Sequence, residues 1–382
     1  MPLVALTIGG TATSSGMIGT LTRVACVAAL VPGGVLADRV NRRGLIVRGH
    51  LLRAVVFTAV VLAWWLGALS MWVLCLAAVC SGAMSGVFGL ASDAAVKNVV
   101  PEDQLPSAAA ANQARSSAVE LVSSPLAGLL LAVSPVLPFL AEVSGHVLGA
   151  ACAAGIEADM EPGDEGEPVE QEPRSFIRDL RQACRLLASQ PPLLALAAAC
   201  SLGSAALTGF FLGLMLWWRL QEVPTAQIGL LLTAPSAAML LGAALAPLII
   251  DRLPAGAILI GFQAVHALVL LSCALTRVPL VQAALLACAG LILPVWNAEA
   301  SARMMRLIPS GGMGRVLGLI QTLIMAPPIL APFLAGRGLD LLGGMPTLVL
   351  FAVVDLLAAG VLIGARGAWV RPRLEAGWAV GR

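Results

Sequence analysis

The chain has 382 residues, of which 59% are hydrophobic and 12% charged, and its mean hydropathy is +0.92. A water-soluble domain carries about a quarter charged residues, so these proportions exclude soluble enzymes and nucleic-acid binders and define a polytopic membrane protein. The net charge of +2 names no acidic partner, because the charges are segregated along the chain.

A helix crosses ~30 Å of hydrocarbon in about 20 residues. The opening stretch Pro2 to Ile8 is apolar but too short to span; it reads as the tail of a helix whose start is missing and runs into a loop from Gly9 to Gly16. Eleven runs of spanning length follow, at 17–37, 49–67, 71–91, 108–132 and 134–156 in the first half, then 191–216, 226–249, 255–275, 279–298, 313–335 and 345–366. Between the halves, residues 157–173 are rich in Asp, Glu and Pro and read as a disordered cytoplasmic linker. From Arg174 to Leu187 apolar and arginine faces alternate at helical spacing, as in a helix lying along an anionic leaflet. The expected division is therefore a helix bundle over 1–156, linker and surface helix over 157–190, a second bundle over 191–366 and a tail over 367–382.

Lys and Arg in the short loops set the orientation. Alternate assignment puts 15 basic residues, Arg39, Arg42, Arg43, Arg48 and Lys97 among them, on one face and only Arg219, Arg277 and Arg337 on the other. The basic face is cytoplasmic and holds the C-terminus. Trp64, Trp65 and Trp72 flank one outer turn and Trp217 and Trp218 another, at the expected depth of the lipid headgroups. Arginine predominates over the single Lys97 and tyrosine is absent, which with so much Ala, Gly and Leu suits a high-GC genome; the expected location is a bacterial plasma membrane.

The halves repeat. Asp38-Arg39 closes one span and Asp251-Arg252 closes another roughly 210 residues later; Val100-Pro101 before Gln113 and Ile308-Pro309 before Gln321 recur at a similar offset.

Gly33-Gly34-Val35-Leu36-Ala37-Asp38-Arg39-Val40-Asn41-Arg42-Arg43 closely resembles the loop signature of the major facilitator superfamily. In that reading Gly34 lets helices approach, Asp38 accepts bonds from arginines, and Asn41 stands where a left-handed turn residue is needed. Val100 to Gln113, then Ser124-Pro125-Leu126-Ala127-Gly128, and Arg315 to Leu319 are similar to the drug and siderophore exporter branch, which includes the enterobactin exporter. The antiporter signature of that branch has Gly where Ser124 stands and a second glycine where Ala127 stands. The resemblance implies two pseudo-symmetric six-helix bundles, about 11 full spans here, with Pro125 and Gly128 as a helix-packing motif and Gly34, Asp38, Arg39, Arg42 and Arg43 as a conformational latch.

Ionisable side chains within hydrocarbon cost about 2.5–3.5 kcal/mol at a helix centre on insertion scales, so each is a candidate site. Asn112, Ser116, Glu120 and Ser124 recur every fourth residue and form one polar stripe, facing either a cavity or a neighbouring helix. Glu142 and His146 lie one turn apart, close enough to share a proton. Arg23 needs a carboxylate such as Glu120 or Glu142. Asp355 and His266 sit in mid-span and Glu299 near an inner end beside Asn297, while Arg48 and Arg53 are placed to snorkel. Phe139, Phe210, Phe211, Phe262 and Trp296 are the aromatics available to a cavity. The eight cysteines are scattered and read as small hydrophobes.

No HExxH, P-loop lysine or nucleophile set is present. The expected function is secondary export of an amphipathic drug, siderophore or secondary metabolite by proton antiport. Neither an enzyme nor a cofactor or metal site is expected. The partners expected are a small-molecule substrate, protons and the lipid bilayer, with no nucleic acid, and the chain is expected to act as a monomer. Nutrient import on the same fold, or a membrane protein without transport, are the alternatives.

Overall fold

The computed structural model describes residues 1–99, 115, 119, 122–123, 125–156, 189–307 and 313–369. Among the described residues every regular element is helical. In chain order these are α1 (Pro2–Thr7), α2 (Ala12–Arg39), α3 (Arg42–Trp65), α4 (Met71–Val99), α5 (125–133), α6 (Leu137–Ala154), α7 (Pro191–Leu220), α8 (Thr225–Leu231) and α9 (Thr233–Arg252). A π-helical turn (Ala257–Phe262) then leads into α10 (Gln263–Leu275), followed by α11 (Pro279–Leu307), α12 (Met313–Leu342), α13 (Gly344–Gly364) and α14 (Arg366–Trp369).

Eight segments among the described residues are long and apolar enough to cross a membrane. The other three expected spans, 17–37, 108–132 and 313–335, each include residues or side chains outside those described. Only 17% of the α6 window is buried, so its apolar surface faces outward in a way that only lipid makes favourable. α2 and α9 both end on the Asp-Arg pair, Arg39 in one and Arg252 in the other, and each carries a proline within its last turns, Pro32 and Pro247. The repeat read from the sequence therefore falls at matching helix ends.

Caps mark the boundaries. The Thr11 side chain accepts from Ser14 N at 3.2 Å, and Asn41 Oδ1 accepts from Gly44 N at 3.1 Å. Asn41 is thus the N-cap of α3, with φ −50° and ψ 117°. The left-handed conformation expected there is replaced by a cap, which uses the same short polar side chain in a different way. Gly343, at φ 84°, does take the left-handed form and reverses the chain between α12 and α13.

The chain divides into two compact units, one of Met1–Gln171, Phe211–Thr233 and Ile329–Gly344, the other of Glu172–Phe210, Ala234–Pro328 and Met345–Arg382. In the first, α2 packs on α4, and α3 on α4 and α6. Gly82 and Gly86, one turn apart on α4, permit this: a Cβ would fall 2.1 Å from Thr22 O and 2.2 Å from Cys26 O. Small residues at that spacing let backbones touch where lipid supplies no hydrophobic drive for association. Val60, Val61, Leu74, Ala78 and Phe139 fill the space alongside. Within the same unit α2 also meets α12 closely, a Cβ at Gly16 falling 2.1 Å from Pro332 O and one at Gly336 2.1 Å from Ala12 O.

The second unit has its own core of Leu193, Leu196, Leu259, Ile320, Ala358 and Leu362. Two sequence expectations change in the first unit. Trp65 and Trp72 are exposed, but Trp217 and Trp218 are buried, at 9% and 1% exposure, Trp217 lying over Gly344; they are packing residues and not headgroup anchors. Arg53 does not snorkel: it is half-buried and donates to Ser85 Oγ on α4 at 2.5 Å.

Candidate functional site

Inside the second unit Asp355, on α13, is fully buried. Gln263 Nε2 donates to its Oδ1 at 2.8 Å, and His266 Nδ1 lies 2.7 Å from its Oδ2. Both partners come from the start of α10, directly after the π turn. A π turn shifts the register of the residues that follow it, and such turns recur at functional sites. Here it is held from α11, where Trp296 Nε1 donates to Leu259 O at 3.0 Å.

The three polar side chains line a cavity of about 100 Å³ shared with Cys200, Gly203, Ser204, Phe262, Trp296 and Asn297. That is room for a few water molecules at about 30 Å³ each. Gly203 lies beside the carboxylate, where a Cβ would make an ordinary van der Waals contact, 3.5 Å from Asp355 Oδ1.

The tautomer follows from the geometry. A carboxylate beside Nδ1 fixes the proton on that nitrogen, leaving the lone pair on Nε2. His266 Nε2 is buried and has no hydrogen-bond partner among the described residues. It is an acceptor with no described donor, on a residue that lines the cavity. Taking up a proton turns the pair from a net charge of −1 to neutral, a change that a low-dielectric interior registers strongly. Nearer the helix end, buried Glu299 lies 3.9 Å from Arg303.

A second cluster sits in the first unit. His146 Nε2 lies 3.4 Å from Glu142 Oε2, as the spacing predicted, and His146 Nδ1 lies 3.1 Å from Nδ1 of His50 on α3. His50, about two turns along α3 from Arg43, has no role in the sequence analysis. Only the α3–α6 contact shows its partner.

A third arrangement joins α2 and α12. Asp340 caps the start of α2, accepting from Thr13 N at 2.8 Å, Thr13 Oγ1 at 2.5 Å and Ala12 N at 3.2 Å. It lies beyond the apolar run 313–335. Partial burial pushes its carboxyl up, but the Thr13, Ala12 and Thr11 hydrogen bonds outweigh this and hold it below the usual carboxylate value.

Of the other sequence candidates, Asn112, Ser116 and Glu120 lie outside the described residues, as do the side chains of Gly34, Asp38, Arg39 and Arg42. Arg43 donates to Ala154 O at the end of α6, a position that suits a cation. Arg23 is exposed on α2, with no ion pair to a described carboxylate. Pro125 is half-buried, and Gly128 is buried where α5 meets α8, a Cβ there falling 2.7 Å from Gly229 Cα. Phe139 and Phe210 are core residues, whereas Phe262 and Trp296 reach the cavity. No group of three or more His, Cys, Asp or Glu among the described residues is placed to hold a metal ion.

Membrane-length helices, with a buried ionisable pair at a cavity of the second unit, are the features of a multi-pass transporter. The chain matches the Major Facilitator Superfamily over residues 1–332 and belongs to it. No curated protein matches it in sequence. Among solved structures it is similar to a bacterial homolog of the human lysosomal transporter Spinster, inward-facing and unoccupied, with TM-score 0.69, 14% identity and 98% of each chain covered. A point mutant of the nucleoside transporter NupG gives TM-score 0.74 at 10% identity over 95% of this chain and 93% of that one. An inward-facing bacterial homologue of the iron transporter ferroportin gives 0.69 at 16% over 96% and 93%. At these identities the likeness is one of fold.

Proposed function

We propose that this member of the superfamily exports small amphipathic molecules from the cytoplasm in exchange for protons, across a bacterial plasma membrane with its C-terminus inside. The observation that carries the proposal is the buried His266–Asp355 pair with its free Nε2 at the cavity. An aspartate in hydrocarbon costs about 2.5–3.5 kcal/mol, and this one is held ready to bind and release a proton at its histidine partner. Proton occupancy then biases the alternating facings of the transporter. Export is supported by the resemblance of Val100 to Gly128 to the exporter branch. Glu120 and Glu142 with His146 and Arg23 remain the proposed ionisable set of the first half, and Asp38, Arg39, Arg42 and Arg43 the cytoplasmic latch. Phe262 and Trp296 offer apolar faces to an amphipathic substrate.

The test uses inverted vesicles from an efflux-deficient host and a panel of fluorescent amphipathic dyes. A pH gradient drives dye into vesicles bearing the wild-type chain; Asp355→Asn and His266→Gln reduce that accumulation roughly 5- to 150-fold, the range of ordinary coupling free energies. Accumulation that ignores the gradient, or survives both substitutions, rejects proton coupling at this pair. Movement in the opposite sense identifies an importer.

A further inference from the structure

We propose that the His50–His146 pair is a second proton-binding site, the repeat counterpart of His266–Asp355, and that it takes up one proton as a unit. The chain has 3 histidines, and each belongs to one of these two pairs. Aligned at the Asp-Arg ends of α2 and α9, and with the π turn and α10 taken as one element, α3 and α6 are the first and fourth helices to follow in the first half, and α10 and α13 are those in the second. Each half therefore joins the same two helices through a close titratable pair, Nδ1 to Nδ1 at 3.1 Å in one and Nδ1 to carboxylate at 2.7 Å in the other.

The surroundings of the first pair are shaped for it. Gly149 leaves room for the His50 ring, since a Cβ would fall 2.7 Å from its Cε1. Phe57 stacks on His146 at 5.9 Å between ring centres and 11° between planes. The His146 side chain is 13% exposed. Among the described residues the charged groups facing the pair are Glu142 on α6 and Arg53 on α3; Ser85 of α4 occupies Arg53 and Cys26 of α2 lies near it.

Two facing Nδ1 atoms hold together only when one of them carries a proton. With His146 Nε2–H directed at Glu142, His146 Nδ1 is the acceptor and His50 Nδ1 the donor. One added proton enters at His50 Nε2 and leaves the shared bond intact. A second would place a proton on both facing nitrogens and break it. The capacity of the pair is one proton.

Equilibrium protonation does not depend on transport, whereas a role for this site in the cycle rests on the function proposed above. The full chain, labelled with ¹⁵N-histidine in lipid bilayers, presents three imidazoles to nuclear magnetic resonance and is titrated from about pH 8 to about pH 4, a range bracketing ordinary histidine titration. The expected result is a single joint transition for His50 and His146, with His266 titrating apart. In His146→Gln the joint transition is lost and the His50 midpoint moves, while the His266 signals stay in place and report an intact fold; Asp355→Asn moves His266 alone. Independent transitions at His50 and His146, each unchanged when the other is replaced, overturn the proposal. So does a pair that stays unprotonated throughout while His266 titrates.

Discussion

A histidine whose Nδ1 is tied to a carboxylate has one nitrogen left for chemistry, and in His266 that nitrogen faces a cavity from a position 95% removed from solvent contact by its neighbours, its residue exposure being 5%. The geometry depends on side chains that never touch a proton in transit. Gln263 fixes the second carboxylate oxygen, and Trp296 ties the π turn that aims both α10 residues. Replacing Trp296 with Phe removes that indole donor while keeping most of the ring. The expected cost is about 1 kcal/mol, the usual worth of one such bond, read as a lower melting temperature of the purified protein in detergent. An unchanged melting curve means that the π turn holds itself. Asp355, His266, Glu142 and His146 were legible as residues because ionisable groups stand out in apolar runs. Their pairing was legible only for Glu142 and His146, which share a helix; His50, Gln263 and the Asp355–His266 contact come from different helices, and one-dimensional spacing carries no such information.

At the scale of helices, backbone contact decides the packing. Gly86 lies 2.2 Å, at its imagined Cβ, from Cys26 O, so Gly86→Val must separate α2 from α4. Overpacking of this kind costs about 1–3 kcal/mol, and the loss appears as reduced folded yield and melting temperature, with Gly89→Ala, where a Cβ meets nothing, as the benign comparison. Asp340 holds α12 to the start of α2 through Thr13 and Ala12. Its carboxyl value is depressed in the folded state, so this contribution is complete above the ordinary carboxylate value and is lost only as pH falls through the depressed one. Asp340→Asn is therefore expected to loosen the contact at neutral pH, raising the rate at which a cysteine placed at Ser14 reacts with a water-soluble thiol reagent, the two proteins being compared at one pH so that the thiolate fraction is the same. Equal rates in both at neutral pH exclude a holding role for the carboxylate. The sequence announced neither contact: glycine in a helix signals close approach without naming the partner, and Asp340 reads as an ordinary loop-end acid.

For the whole molecule, composition and run length were enough to call an all-helical membrane fold of the major facilitator type, because a bilayer allows few other solutions and the loop at Gly33 to Arg43 is specific to the superfamily. The internal repeat was legible at the Asp-Arg helix ends, which the structure places at the ends of α2 and α9. Which residues gather into a compact unit was not legible, since segments such as Phe211–Thr233 and Ile329–Gly344 join the first unit through contacts between small residues far apart in the chain. Proton coupling is the claim on which the functional account stands, and it separates net transport from exchange. In proteoliposomes with the best-transported dye of the panel, exchange of dye for dye moves no net proton, whereas accumulation under a pH gradient does. Asp355→Asn is predicted to keep exchange near the wild-type rate and to lose gradient-driven accumulation; loss of both in a folded protein, or of neither, contradicts the account.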